Sequence, residues 1–389
     1  MKVTFPHMGY LYVPIRAFLN QLGLEVVVPP AITQETISLG TRYSPEFACL
    51  PLKVNVGNFL QAAELGADTV VMAGGIGPCR FGYYAQVQNE ILADLGVHLD
   101  MIVLEPPQGH FGELLRGLRR LKGKAGPLTI YRAGALAWTK LKVLDELAKK
   151  HLFVRAKEKV RGSTTYAWRK IVDLIDQADS NKEVITAATE AQELLNNIAI
   201  QPNDDTLKVG LVGEIYTLLE PAVNLEIERT LGEMGVEVVQ SICLSDWVMT
   251  NLVLHTLHLR DDREHYRLAA PYLDSFVGGH GLESISTTIS YARSGLDGVI
   301  HLAPLTCMPE IVAMSILPQV SNDEDIPVLT LMLDEHSAET GIQTRLEAFC
   351  DLLRTRRLRR KQNKIQHKHA EQEPLLLGRE SILEGLSWY

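Results

Sequence analysis

Cysteine is the side chain in this sequence with the most distinctive chemistry, and there are five of them. Cys79 stands in Gly74-Gly75-Ile76-Gly77-Pro78-Cys79-Arg80-Phe81-Gly82, directly after the apolar run Thr69–Ala73. A buried structural cysteine needs no such loop. Glycines let the backbone approach a bulky object and let amides point at an anion. Cys307 stands in Leu305-Thr306-Cys307-Met308-Pro309-Glu310, after the apolar run Gly298–Ala303 and ahead of a proline suited to the first turn of a helix. Cys49 lies between Pro45 and Pro51, just before a helical pattern that starts near Val54. A cysteine at a helix N-terminus has a stabilised thiolate, the form that ligates metal or acts as a nucleophile.

Structural zinc takes four ligands, with cysteine pairs separated by two to four residues, a spacing absent here. Soft thiolates also suit an iron–sulfur cluster, and three of them leave one iron open to water, substrate or a bridging atom. The plain alternative is three inert, buried cysteines. Cys243, at the end of an apolar strand pattern, and Cys350, inside a helical run, read as core.

Other residues stand close to these in sequence. Gly75, Gly77, Arg80 and Lys53 flank the cysteines, and the two cations would offset the charge of a bound cluster and tune its potential. Tyr83 and Tyr84 would shield it or simply fill the core. Asp334-Glu335-His336 follows a strand pattern, so Glu335 and His336 are candidates for proton transfer, with solvated loop residues as the alternative. Gly278-Gly279-His280-Gly281 would cradle an anion at a helix start or form a simple turn.

The elements that must position these groups are legible through an internal echo. Lys2-Val3 and Lys208-Val209 each open a strand. A tyrosine follows eight positions after each lysine (Tyr10, Tyr216), then a proline at the expected helix start (Pro14, Pro221). Helical periodicity, a glycine break and a Glu-Val-Val strand complete each unit. A β-loop-α-β unit appearing twice predicts two α/β domains with parallel sheets and helices on both faces. Helices are expected over 54–65, 85–95, 136–150, 164–178, 182–198, 265–276, 282–294, 310–315 and 343–360, and strands over 69–73, 298–303 and 328–333. The expected divisions are an α/β domain over 1–130, a helical segment over 131–205 and an α/β domain over 206–389, with a linker at Gln201–Asp205.

Of the 389 residues 46% are hydrophobic and 22% charged, which is enough for a sizeable core. The net charge of −9 argues against a general nucleic-acid surface. The basic run from Arg354 to Lys368 reads as the solvated end of a helix, with an anionic partner or a nucleotide phosphate as the lesser reading. No apolar stretch approaches the ~18 residues of a membrane span, and the start does not read as a signal peptide. A cytoplasmic protein without stable disulfides is expected.

Four stretches carry a resemblance: Cys49-Leu-Pro-Leu-Lys-Val-Asn-Val-Gly-Asn-Phe, Gly-Ala-Asp-Thr-Val-Val-Met-Ala-Gly-Gly-Ile-Gly-Pro-Cys79-Arg-Phe-Gly-Tyr-Tyr, Cys307-Met-Pro-Glu, and Asp334-Glu335 followed by Thr344-Arg-Leu-Glu-Ala-Phe349. The chain resembles, from residue 1 to about 360, the D-component-like, activase-associated proteins of the 2-hydroxyacyl-CoA dehydratase and benzoyl-CoA reductase superfamily. The resemblance implies two flavodoxin-like (Rossmann-like) domains plus a helical part, with Cys49, Cys79 and Cys307 holding a 4Fe-4S cluster between the domains. It implies a homodimer or a heterodimer with a related subunit. It also implies a separate ATP-hydrolysing activator of the actin/Hsp70 fold that delivers a low-potential electron. Dehydratase relatives use that electron to remove water from a 2-hydroxyacyl-CoA; others carry a double-cubane cluster. This chain departs from the larger relatives in lacking the activator's phosphate loop, so no nucleotide is expected on it, and no CoA-binding signature is recognised. The rival expectations are a scaffold or assembly subunit with a structural metal, and a nucleotide-binding α/β protein with inert cysteines.

Overall fold

The structure is a computed structural model, and it describes residues 1–75, 79–104, 111–201, 205–250 and 263–383, with side chains at all of these but 111, 113–115, 263 and 364–383. The chain divides into two compact units, Met1–Gln343 and Thr344–Tyr389.

The first unit contains two four-stranded sheets. The first is built from β1 (Lys2–Thr4), α1 (Tyr12–Gln21), β2 (Glu25–Val26), α2 (Gln34–Tyr43), α3 (Leu50–Glu64), β3 (Thr69–Ala73), α4 (Tyr84–Asp94), β4 (Asp100–Leu104) and α5 (Phe111–Leu121). Three helices follow: α6 (Pro127–Arg155), α7 (Ser163–Gln177) and α8 (Asn181–Asn196). The second sheet is built from β5 (Leu207–Gly213), α9 (Ile215–Leu219), α10 (Ile227–Glu233), β6 (Val236–Gln240), α11 (Leu244–Val248), α12 (Arg263–Ala269), α13 (Gly281–Arg293), β7 (Gly298–Pro304), α14 (Met308–Asp323) and β8 (Val328–Leu333). The last helix, α15, runs from Glu339 to Leu383.

The strand orders are β2-β1-β3-β4 and β6-β5-β7-β8. Every pairing is parallel, with Val3 opposite Thr69 in one sheet and Val209 opposite Gly298 in the other. This order opens the flavodoxin-like arrangement, in which ligands bind beyond the carboxyl ends of the strands. The fold is therefore α/β with two parallel sheets, as the echo predicts. Strands covered on both faces read as continuous apolar runs, and all seven residues of β7 are buried. The helical segment has its own core, where Leu144 and Leu147 of α6, Ile171 and Ile175 of α7 and Ala191 of α8 close on Val13 of α1.

Several elements differ from expectation. In the second sheet the echoed helix is split into α9 and α10. Pro221 disfavours helical backbone at Glu220, which is extended (φ −105°, ψ 102°). Its counterpart Pro14 is harmless in the first turn of α1. The helix expected over 265–276 stops at Ala269, with Pro271 beyond it. The short helix at 310–315 is the 16-residue α14, with Pro318 inside it. Residues 202–204 of the expected linker lie outside the described residues. No helix among the described residues is long and apolar enough to cross a membrane.

Candidate functional site

Cys49, Cys79 and Cys307 share a structural position. Each is the N-cap of the helical element behind it: Cys49 of α3, Cys79 of the 3-10 turn Arg80–Tyr83, and Cys307 of α14. N-caps are ordinarily Ser, Thr, Asp or Asn, whose side chains bond the free amides of the first turn. None of the three cysteines makes such a side-chain cap bond. Two come from the first sheet's connections and one from the second, so the set exists only in the assembled unit.

The loops are tied together by Arg80. Its guanidinium donates to the Phe47 carbonyl at 2.8 Å, to Thr306 Oγ1 at 3.0 Å and to the Thr306 carbonyl. The Thr306 hydroxyl in turn donates to the Phe47 carbonyl at 3.2 Å. One side chain next to Cys79 thus fixes the residue before Cys307 and the loop before Cys49. Thr306 has φ +65°, a left-handed conformation that costs a β-branched residue energy and persists only where neighbours enforce it. Gly75 serves the same loop from below. A Cβ there would lie 2.6 Å from Phe81 Cδ1 and 2.9 Å from the Gly82 amide, so only glycine admits the turn after Cys79. Gly77 lies outside the described residues.

Burial raises all three thiols, and the Glu214 carboxyl presses in the same direction on each. The Tyr84 hydroxyl, in contact with Cys49 Sγ, works the other way and favours the Cys49 thiolate. Cys79 is eased by the Phe81 amide and Arg80, whereas Cys307 is raised further by Glu310. Without a cation among them these groups are held as neutral thiols; a bound metal ion reverses that balance.

Glu214 caps α9, accepting from the amides of Tyr216 (3.0 Å) and Thr217 (2.9 Å) and from the Thr217 hydroxyl (2.9 Å). Burial nevertheless raises it, against the pull of the Tyr216 and Thr217 amides and, after them, of His280. Glu310, three residues after Cys307, is fully buried. Its Oε2 accepts from Ser284 Oγ at 2.9 Å and meets His301 Nε2 at 2.8 Å, while Oε1 has no hydrogen-bond partner.

The remaining candidates are placed differently. Lys53 stands one turn into α3. It forms an ion pair with Glu335 at 2.5 Å, the two side chains being 3% and 8% exposed. Glu335 is therefore engaged in holding the two sheets' loops together. Its neighbour His336 is exposed and donates its amide to Asp334 Oδ1 at 3.0 Å. Tyr84 is buried against Cys49, whereas Tyr83 is exposed. Cys243 is likewise a non-capping N-cap, of α11, but its loop is not among those that Arg80 ties together; burial raises its thiol and the Lys149 cation pulls it down. Cys350 is buried in α15.

Three contributors were not legible as such in the sequence. Nothing in the sequence singles out Glu214 or Glu310, and Thr306 carries no signal of its left-handed backbone.

The donor chemistry of the set, three thiols on loops that Arg80 ties together, is the soft ligation that an iron–sulfur cluster takes. Among the described residues no three His, Cys, Asp or Glu side chains close around a point the size of one metal ion. A multi-metal cluster spreads its ligands more widely than one ion does. No family model and no curated protein matches the chain, so the resemblance to the dehydratase superfamily rests on the motifs themselves.

Proposed function

We propose that this chain is a cytoplasmic iron–sulfur protein that holds a cluster on Cys49, Cys79 and Cys307. In this reading it takes low-potential electrons from a separate ATP-hydrolysing activator and works as a homodimer or beside a related subunit. The observation that carries the reading is the shared placement of the three cysteines. All are N-caps whose side chains do not cap, and Arg80 ties their loops together across two sheets. A bound 4Fe-4S cluster, single or as half of a double cubane, supplies one-electron chemistry at low potential and an iron that the cysteines leave free.

The chain's own residues set the conditions. Helix N-termini bring positive ends of dipoles to the thiolates. Tyr84 offers Cys49 a hydroxyl, and hydrogen bonds to cluster sulfurs raise the potential. Glu214 and Glu310 act in the opposite sense, because negative charge near the thiols disfavours an added electron. Arg80, which keeps its charge while bonded to carbonyls, offsets part of this at Cys49 and Cys79, whereas the Lys53–Glu335 pair is internally neutral. In this reading the centre is filled by a strong reductant, which is the service an ATP-driven activator performs.

The test is anaerobic purification with assay of iron, acid-labile sulfide and absorbance near ~400 nm, using single Cys→Ala variants. C49A, C79A and C307A should each lose most of the iron, while C243A and C350A keep it. Equal iron in all five variants, or none in the parent after reconstitution with ferrous iron and sulfide, overturns the reading.

A further inference from the structure

The internal echo is a three-dimensional repeat with four corners, three of which are the cysteines. In each sheet the third strand is preceded by a long helix, α3 before β3 and α13 before β7. The match reaches single hydrogen bonds. Lys2 N donates to Asp68 Oδ1 at 2.8 Å and receives Asp68 N on its carbonyl at 3.0 Å. Lys208 N donates to Asp297 Oδ2 at 2.8 Å and receives Asp297 N on its carbonyl at 2.9 Å. Gly66 and Gly295, at φ +91° and +80°, turn the chain from helix to strand in the two halves.

On this correspondence Cys79 and Cys307 are equivalents, each following the third strand of its sheet. The equivalent of Cys49, N-cap of α3, is the N-cap of α13. That residue is His280, and like the cysteines it makes no side-chain cap bond. Its turn lies against the other corners. At Gly279 (φ +48°) a Cβ would stand 3.8 Å from Cys79 Sγ and 3.0 Å from Pro309 Cγ. At Gly281 it would stand 2.4 Å from the Pro309 carbonyl oxygen. The loop carrying His280 is thus seated on the first turn of Cys307's helix and beside the Cys79 sulfur. Glu214, the buried cap of α9, bears electrostatically on all three cysteines and on His280. On the same first turn of α14, the fully buried Glu310 leaves Oε1 without a partner.

We propose that His280 is the fourth protein ligand, completing a three-cysteine, one-histidine set around the cluster. The inference rests on the iron–sulfur reading above and adds to it the residue that meets the iron left free by the cysteines. A neutral imidazole in place of a thiolate leaves less negative charge on the cluster and raises its potential.

The test uses the full chain, reconstituted without oxygen from ferrous iron and sulfide and then reduced. Pulsed electron paramagnetic resonance should show strong coupling to a ligand nitrogen. The pattern should change when histidine is supplied labelled with heavy nitrogen, a comparison that needs no substitution. His280→Ala should keep the iron–sulfur chromophore and lose the coupling. His280→Cys should lose the coupling and shift the potential to more negative values. A parent cluster without nitrogen coupling, or coupling that survives in H280A, overturns the inference alone. A parent chain with no chromophore overturns the iron–sulfur reading and the inference with it.

Discussion

The ion pair between Lys53 and Glu335 invites a quantitative prediction, because it is the most buried charge pairing that joins the two sheets' loops. At 2.5 Å, and with an effective dielectric near 20, the gross attraction is about 6 to 7 kcal/mol. Desolvation of two side chains that are 3% and 8% exposed takes back most of it. What remains large is the cost of orphaning one partner. Lys53→Met leaves a carboxylate without its cation in a site closed to water, which costs about 3 to 5 kcal/mol. For a unit of this size each kcal/mol moves the melting temperature by about 2 °C, so the midpoint should fall by about 6 to 10 °C. Glu335→Leu should cost a similar amount by stranding the ammonium. The double variant, in which neither charge is left, should recover to within about 1 kcal/mol of the parent or exceed it.

Urea unfolding of the four proteins gives the coupling energy directly. Lys53 is one turn beyond Cys49, its amide 3.5 Å from the Cys49 carbonyl, so loss of the pair should also lower iron content under the reconstitution used above. The reasoning fails if Lys53→Met costs less than about 1 kcal/mol, or if the double variant costs as much as the two singles added. Either result would mean that water reaches the pair and that the two loops are joined by other contacts.

Tyr84→Phe removes a hydroxyl from Cys49 Sγ. A hydrogen bond of ~1 kcal/mol corresponds to about 40 mV for one electron, so a redox titration should show a more negative potential by that order, and an unchanged potential would remove Tyr84 from the site. Glu228 is raised to about 7 by burial, against the pull of Arg155. A carboxyl raised in the folded state binds its proton more tightly there than in the unfolded chain. Its contribution is therefore favourable at low pH and is lost as pH rises from about 4.5 to about 7. Relative to the parent, Glu228→Gln should gain stability across that window, measured by urea midpoints from pH 4.5 to 8; a difference independent of pH would refute the assignment.

How much of this was legible follows from which forces act locally. The parallel strands were readable because burial on both faces turns them into apolar runs, as in Gly298–Pro304 and Val328–Leu333. The three N-cap cysteines were readable because prolines and glycines mark where helices begin. Local rules failed where a distant group decides. Nothing near Thr306 encodes a left-handed backbone; it is pinned by Arg80, 226 positions away. Lys53 and Glu335 each read separately, beside a cysteine and a strand end, and only the facing of the two sheets' loops brings them into a pair. The helix α14 runs past Ser315 although Pro318 removes one amide, because the buried Leu317 and Val320 hold it against its neighbours.

The duplication explains why such a site needs two domains. One α/β half offers at its carboxyl edge the N-termini of two helical elements, one before and one after its third strand. That gives two corners, which can grip a small anion but cannot surround a body several ångströms across. Facing a second copy of the same edge doubles the corners, provided that the two halves are held in register without the ligand's help. The contacts that do so lie outside the thiols. Arg80 bridges Phe47 and Thr306, Lys53 meets Glu335, and Glu220 accepts from the Gly9 amide at 2.8 Å while meeting His7 Nδ1 at 2.9 Å. Gly9 can come that close because it has no side chain; a Cβ would lie 2.5 Å from the Leu219 carbonyl oxygen. Each of these contacts joins a residue of the first half to one of the second. Registry is thereby carried by Arg80, Lys53, Glu335 and Glu220, residues other than the three cysteines.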